Sequence, residues 1–162
     1  VIEKKVRAPR VADVMTQVVV TVSPETRIQE AIDLFTRRHI SGAPVVSTAG
    51  DLLGVVTTTD VLRAESSAGS PAREAAYYLE DDLSGPMAAA PVSSDRRAVI
   101  DIATRKVVSI DENASLSKAA QVLLELGIRR LLVTRKGRLA GVLSATDVLK
   151  WVAQPALEAE LG

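Results

Sequence analysis

Between residues 13 and 63 the apolar positions change period several times. Val18-Val19-Val20-Thr21-Val22 is a β-branched run broken by Ser23-Pro24, and it predicts a short buried strand. Ile28, Ile32 and Phe35 follow at i, i+4 and i+7, with Ala31 and Leu34 widening the stripe. That spacing predicts an amphipathic helix, and Thr26 with Gln29 supplies a capping box at its start. After Ile40-Ser41-Gly42, the segments Ala43 to Ser47 and Leu52 to Val56 read as two strands joined by the turn Ala49-Gly50-Asp51. Pro44 has no N–H to give a ladder, so it belongs at a strand's start or on an unpaired edge. Thr57 to Arg63 opens a second helix, and Asp13 to Thr16 forms a short helical lead-in. The unit reads β-α-β-β-α.

The pattern then returns. Gly54-Val55-Val56-Thr57-Thr58-Thr59-Asp60-Val61-Leu62 reappears as Gly141-Val142-Leu143-Ser144-Ala145-Thr146-Asp147-Val148-Leu149, a shift of 87 residues. Asp13-Val14-Met15-Thr16 reappears as Asp101-Ile102-Ala103-Thr104 with a shift of 88, so one residue is lost in the turn after the second strand. In the second copy Val107 to Ile110 is the first strand, and Leu116, Ala120 and Leu123 carry the helical stripe. Leu131 to Thr134 and Leu139 to Leu143 flank the turn Arg135-Lys136-Gly137-Arg138. A repeat that spans caps, core positions and turns implies two copies of one supersecondary unit facing each other, with clefts between them suited to a small molecule. The fold class is α+β. The boundaries expected are 1–63 for the first repeat with its lead-in, 64–98 for a helical linker, 99–151 for the second repeat and 152–162 for a helical tail.

The linker has no partner in the repeat. Ser70-Pro71 is a helix start, Ala72 to Leu83 has helical character, and Gly85-Pro86 stops it. The tail after Trp151 continues a helix until Pro155 interrupts it. Composition narrows the function. The chain has 162 residues, 47% of them hydrophobic, enough for a proper core. Its 20 basic and 20 acidic residues cancel, so no broad cationic face points to nucleic acid or an anionic membrane. The absence of cysteine removes disulfides, thiol nucleophiles and thiolate metal sites and fits a reducing cytosol, so a cytoplasmic location is expected. No apolar run approaches the ~18 residues of a membrane span. The chain starts at Val1 without methionine, which points to a trimmed start or to a piece of a longer protein.

The repeated phrase has its own chemistry. An ionised carboxylate only accepts, so Asp60 or Asp147 is suited to take hydrogen bonds from both hydroxyls of a ribose. Thr57 or Ser144, just before the helix, offers a hydroxyl while first-turn N–H groups favour a nearby phosphate. Gly54 and Gly141 permit close backbone approach. The alternative is purely structural: Ser or Thr followed by x-x-Asp is itself a capping box that needs no ligand. The two roles are compatible, because the capped helix is also the one that presents the carboxylate.

Two β-α-β-β-α copies, each ending in Gly-h-h-(Ser or Thr)-x-x-Asp with h apolar, resemble a tandem pair of CBS domains, the cystathionine-β-synthase-type or Bateman module. Asp13 to Thr16 and Ile40-Ser41-Gly42-Ala43-Pro44-Val45-Val46 fit the family well, and the likeness covers about residues 11 to 63 and 99 to 151. The resemblance implies a non-catalytic pseudo-two-fold pair whose clefts bind adenosine-containing ligands and report on them to an attached or partner protein of unknown identity. It also implies disc-like dimers, so a homodimer through first-helix or last-helix surfaces is expected. With 2% aromatic residues the adenine slot would be aliphatic. Its expected walls are Val20, Thr21 and Val22 in one copy and Val108, Ser109 and Ile110 in the other. Gly42, Ala43 and Pro44 stand at one second-strand entrance, and Arg130, Leu131 and Leu132 at the other; all of these equally suit plain core strands. The repeated phrases add Thr57, Thr59 and Asp60, and Ser144, Thr146 and Asp147. Arg129 and Arg130 replace Ser41 and Gly42, and guanidinium groups there can hold phosphate oxygens or be salt-bridged, so the two clefts are expected to be unequal.

Other residues carry blander expectations. His39, the only histidine, rules out a multi-histidine metal site and reads as an exposed helix-end residue. Glu80-Asp81-Asp82 reads as a solvated acidic helix end, Tyr77-Tyr78 as half-buried packing or a contact surface, and Trp151 as an apolar anchor. Arg63 and Lys150, three residues after the aspartates, suit either phosphate or a salt bridge. Three function classes follow: a sensor of AMP, ADP, ATP, S-adenosylmethionine or NAD; a ligand-free interaction and dimerisation module; and, last, an enzyme, for which no nucleophile–base pair, metal cluster or P-loop is present. No catalytic cofactor is expected.

Overall fold

The computed structural model describes residues 7–65, 78 and 96–154. Helix α1 (Val11–Val14) is followed by α2 (Ile28–Arg38), strands β1 (Gly42–Val46) and β2 (Leu52–Thr57), and α3 (Thr58–Glu65). The second half repeats the order with α4 (Val99–Ile102), β3 (Ser109–Asp111), α5 (Leu116–Leu126), β4 (Arg130–Arg135), β5 (Arg138–Ser144) and α6 (Ala145–Ala153). Strands β1 and β2 are antiparallel, as are β4 and β5, while β3 runs parallel to β4. Val46 pairs with Leu52 and Thr134 with Leu139, so the second turn is one residue shorter, as the change of repeat shift requires.

The two units exchange their lead-in segments. Thr16, just after α1, exchanges both backbone hydrogen bonds with Val142 of β5, at 2.9 and 3.0 Å. Thr104, just after α4, does the same with Val55 of β2, at 3.0 and 2.9 Å. Val11 is therefore buried in one core with Leu116, Ala119, Leu123, Leu131, Leu132 and Leu143, whereas Val99 is buried with Ala31, Phe35, Ala43, Val45 and Val56. Each unit completes its core with residues belonging to the other half of the sequence.

This exchange explains two departures from the sequence pattern. The expected strand at 18–22 is reduced to a single parallel bridge between Val22 and Val45, and Val18 is 91% exposed. Residues 17–21 cross from the sheet that holds Thr16 to the one that holds Val22, so they cannot pair along their length with either. Their branched apolar side chains face the space between the units instead. In the second half, pairing likewise begins at Ser109 rather than Val107. The first long helix is also entered one residue late: its N-cap is Arg27, Thr26 meets the Ser23 hydroxyl at 2.8 Å, and the Gln29 amide donates to Asp33.

His39 ends α2 in the left-handed region at φ 54°, the position that Gly127 fills at φ 62° after α5. It is exposed, as a helix-end residue should be. The expected linker helix, its acidic stretch Glu80-Asp81-Asp82 and Tyr77 lie outside the described residues, as does the tail beyond Gln154. Among the described residues no helix is long and apolar enough to cross a membrane.

Candidate functional site

The repeated phrase places a carboxylate at the start of a helix in each unit, and the two carboxylates have different surroundings. In the second unit Ser144 caps α6: its hydroxyl accepts from the Asp147 N–H at 3.0 Å, and Asp147 Oδ2 accepts from the Ser144 N–H at 2.9 Å. The capping reading of the motif therefore holds here. It uses one carboxylate oxygen and leaves Oδ1 without a hydrogen bond among the described residues. Asp147 is half-buried and faces a cleft.

In the first unit the equivalent group is closed in. Asp60 is 3% exposed, and its Oδ2 accepts from both the N–H and the hydroxyl of Thr57, at 2.8 and 3.1 Å. Arg63 Nη1 lies 3.4 Å from Oδ1, which resolves the choice for Arg63 in favour of the ion pair. Burial pushes the Asp60 carboxyl above the ordinary aspartate range, opposed by the hydrogen bonds from Thr57, the charge of Arg63 and the hydroxyl of Thr104.

The cleft in front of Asp147 has a volume of about 310 Å³. It is lined by Ile40, Gly42 and Pro44 of the first unit, Arg130, Val142, Ser144 and Asp147 of the second, and Thr16, Val18, Val19 and Val20 of the crossing segment. Its lining combines the aliphatic side chains of Val18, Val19, Val20, Ile40 and Val142, as a flat base requires, with the carboxylate of Asp147 and the guanidinium of Arg130. The volume lies at the small end of the range of roughly 300–1,000 Å³ found for small-molecule sites.

Six of the residues singled out by sequence thus meet in one place: Val20, Gly42, Pro44, Arg130, Ser144 and Asp147. The others lie elsewhere. Val22, Ala43 and Leu131 point into the cores, and Val108 and Ile110 pack half-buried against the second core. Thr21 lines a separate cavity of about 390 Å³ with Gln17, Thr48 and Arg138. Thr57 and Asp60 are sealed, while Thr59, Ser109, Arg129 and Thr146 are exposed. Thr16, Val18, Val19, Ile40 and Val142 line the cleft without having been singled out. Their signal was present, since the lead-in and Ile40 belong to the repeat, but its use depends on knowing that the lead-in crosses over.

Gly54 and Gly141 do permit close approach, but of backbone rather than ligand. A Cβ on Gly54 would lie 2.6 Å from the Thr104 carbonyl oxygen, and one on Gly141 would lie 2.6 Å from that of Thr16. Both glycines serve the exchanged bridges.

Comparison with known proteins agrees with this architecture. The CBS domain family model matches residues 11–67 and 99–154. The chain is 30% identical over 138 residues to the chloroplastic CBS domain-containing protein CBSX1 of Arabidopsis thaliana, covering 82% of this chain and 58% of that protein. The crystal structure of CBSX2 in complex with AMP superposes with a TM-score of 0.64 at 24% identity, over 90% of this chain and 96% of that one. The CBS domain pair of protein MJ0100 in complex with 5-methylthioadenosine and S-adenosyl-L-methionine gives 0.61 at 18% identity, over 90% and 97%. Across three curated relatives the chain spans 41% to 66% of their length. The chain belongs to the CBS-domain family and carries one such domain in each half.

Proposed function

We propose that the chain is a non-catalytic regulatory module that takes an adenosine-containing ligand of the AMP, ADP or ATP type in the cleft in front of Asp147. The observation that carries this is the division of labour at Asp147: one oxygen caps the helix, and the other is left to a cleft with a largely aliphatic lining. A ribose diol supplies the donors that this carboxylate lacks, and the base lies against Val18, Val20 and Ile40. Arg130 stands at the same cleft and suits a phosphate. The solved complexes of CBSX2 with AMP and of MJ0100 with adenosine derivatives support the ligand class.

Titration calorimetry tests it. AMP, ADP or ATP is expected to bind with guanosine nucleotides weaker, and ligand at 100 times its dissociation constant to stabilise the fold by about 2.7 kcal/mol. Changing Arg130 to alanine should weaken ATP more than adenosine. No heat and no melting shift with any adenosine compound would favour a ligand-free interaction module instead.

We also propose that the module is a homodimer. Leu62 on α3 and its repeat equivalent Leu149 on α6 are 61% and 66% exposed, and Val152 is 72% exposed beside the partly exposed Trp151. Trp151 is thus part of an outer apolar surface rather than an internal anchor. Pseudo-symmetric apolar faces suit isologous pairing. Light scattering should give twice the chain mass at micromolar concentration, with Leu149→Glu shifting it to the monomer; a monomeric native chain would exclude this.

A further inference from the structure

The pseudo-symmetric counterpart of the Asp147 cleft can be located residue by residue. The bridge Val22 to Val45 corresponds to the pair Ile110 and Val133, and the hydrogen bond from Thr58 N–H to Ser41 corresponds to that from Ala145 N–H to Arg129. By the shift of 88 before the hairpin turn Val20 corresponds to Val108, Ser41 to Arg129, Ile40 to Ile128 and Pro44 to Leu132, and by the shift of 87 after it Val142 corresponds to Val55. In the first cleft the Val20 N–H carries no hydrogen bond among the described residues. In the second cleft the Val108 N–H, its counterpart, and the neighbouring Arg129 N–H are both taken by one residue that neither repeat contains. The Val108 N–H donates to the phenol oxygen of Tyr78 at 3.1 Å, and the Arg129 N–H donates to the Tyr78 carbonyl at 2.8 Å. Tyr78 is 3% exposed and shares one apolar cluster with Val55, Val107, Val108, Ile128 and Leu132. Those are the counterparts of the apolar lining of the open cleft.

We infer that Tyr78 is the built-in occupant of the second cleft, its ring filling the slot and its polar atoms taking the strand-entrance N–H groups. Building on the ligand reading above, it limits the module to one adenosine ligand per chain. Asp60 fits this role, since its oxygens are already satisfied by Thr57 and Arg63 rather than held for a ribose.

Amide exchange followed by nuclear magnetic resonance tests the occupancy in the ligand-free protein. Val108 should exchange at least about tenfold more slowly than Val20, and Tyr78→Phe should abolish most of that difference while leaving Arg129 protected. Val108 exchanging as fast as Val20 in the native chain would overturn the inference. Titration with AMP adds the stoichiometry: one per chain, shifting the Val20 amide and not Val108. Two AMP per native chain with the Val108 amide shifted would also overturn it. If AMP binds nowhere, the ligand reading fails and the exchange contrast still decides the place of Tyr78.

Discussion

Replacing Gly54 with alanine is expected to lower the stability of the whole chain by about 3 kcal/mol, at the upper end of the roughly 1–3 kcal/mol usual for overpacking. The added Cβ would lie 2.6 Å from the carbonyl oxygen of Thr104 and 3.4 Å or less from the Thr104 carbonyl carbon and Arg105 Cα. All three are backbone atoms, so no side chain can rotate away. Relief requires opening the bridge between Thr104 and Val55, and that bridge seats α4 in the first core through Val99 and Ala103. Gly141→Ala should be milder. Its closest contact is also a carbonyl, that of Thr16 at 2.6 Å, but the next is the Met15 sulfur at 2.9 Å, which a flexible side chain can withdraw. Thermal melting should place the Gly54 variant roughly 6–12 °C below the native chain, since each kcal/mol corresponds to about 2–4 °C at this size. Equal melting temperatures for Gly54→Ala and the native chain would show that the lead-in bridge is not a fixed part of the fold.

The same exchange marks how far the sequence alone could be read. Order and type of most elements were legible, because Ile28, Ile32 and Phe35 keep a helical period and the two hairpins are bounded by turn residues. The resemblance of Gly54 to Asp60 and Gly141 to Asp147 was enough to name two copies and their family. What the chain does not display is which copy each lead-in serves. Val18 to Val22 has every local mark of a buried strand, yet a segment that bridges two sheets cannot pair along its length; Val22 reaches the first core, while Val18, Val19 and Val20 face the cleft instead. Local periodicity carries no information about such a crossing. Tyr78 was read only as half-buried packing or a contact surface for a related reason: it belongs to neither repeat, so pattern matching between the copies gave it no counterpart and no place at a cleft.

The site itself was read as two similar carboxylates, and the structure separates them, so their substitutions should differ in kind. Asp147→Asn is expected to weaken adenosine nucleotide binding tenfold or more, since a hydrogen bond to a charged group is worth about 1.5–3 kcal/mol. Stability should change little, because the asparagine oxygen can still accept from the Ser144 N–H and keep the cap. Asp60→Asn should leave the nucleotide affinity in place and act on stability through pH. Burial raises the folded-state value of Asp60 above the ordinary 3.8, so the folded chain binds this proton more readily than the unfolded one. Its contribution is then most favourable below about pH 4 and declines as pH rises through the elevated value. Glu112 has the opposite sign: the paired hydrogen bonds from Arg135 hold it below the usual range, and its stabilisation is lost as pH falls through that lowered value. Both chains carry Glu112, so the native-minus-variant difference isolates Asp60. The melting temperature of the native chain should therefore gain on that of Asp60→Asn between pH 7 and pH 4. A difference constant with pH would mean that Asp60 titrates alike in both states, and a tenfold affinity loss in this variant would return it to the binding site.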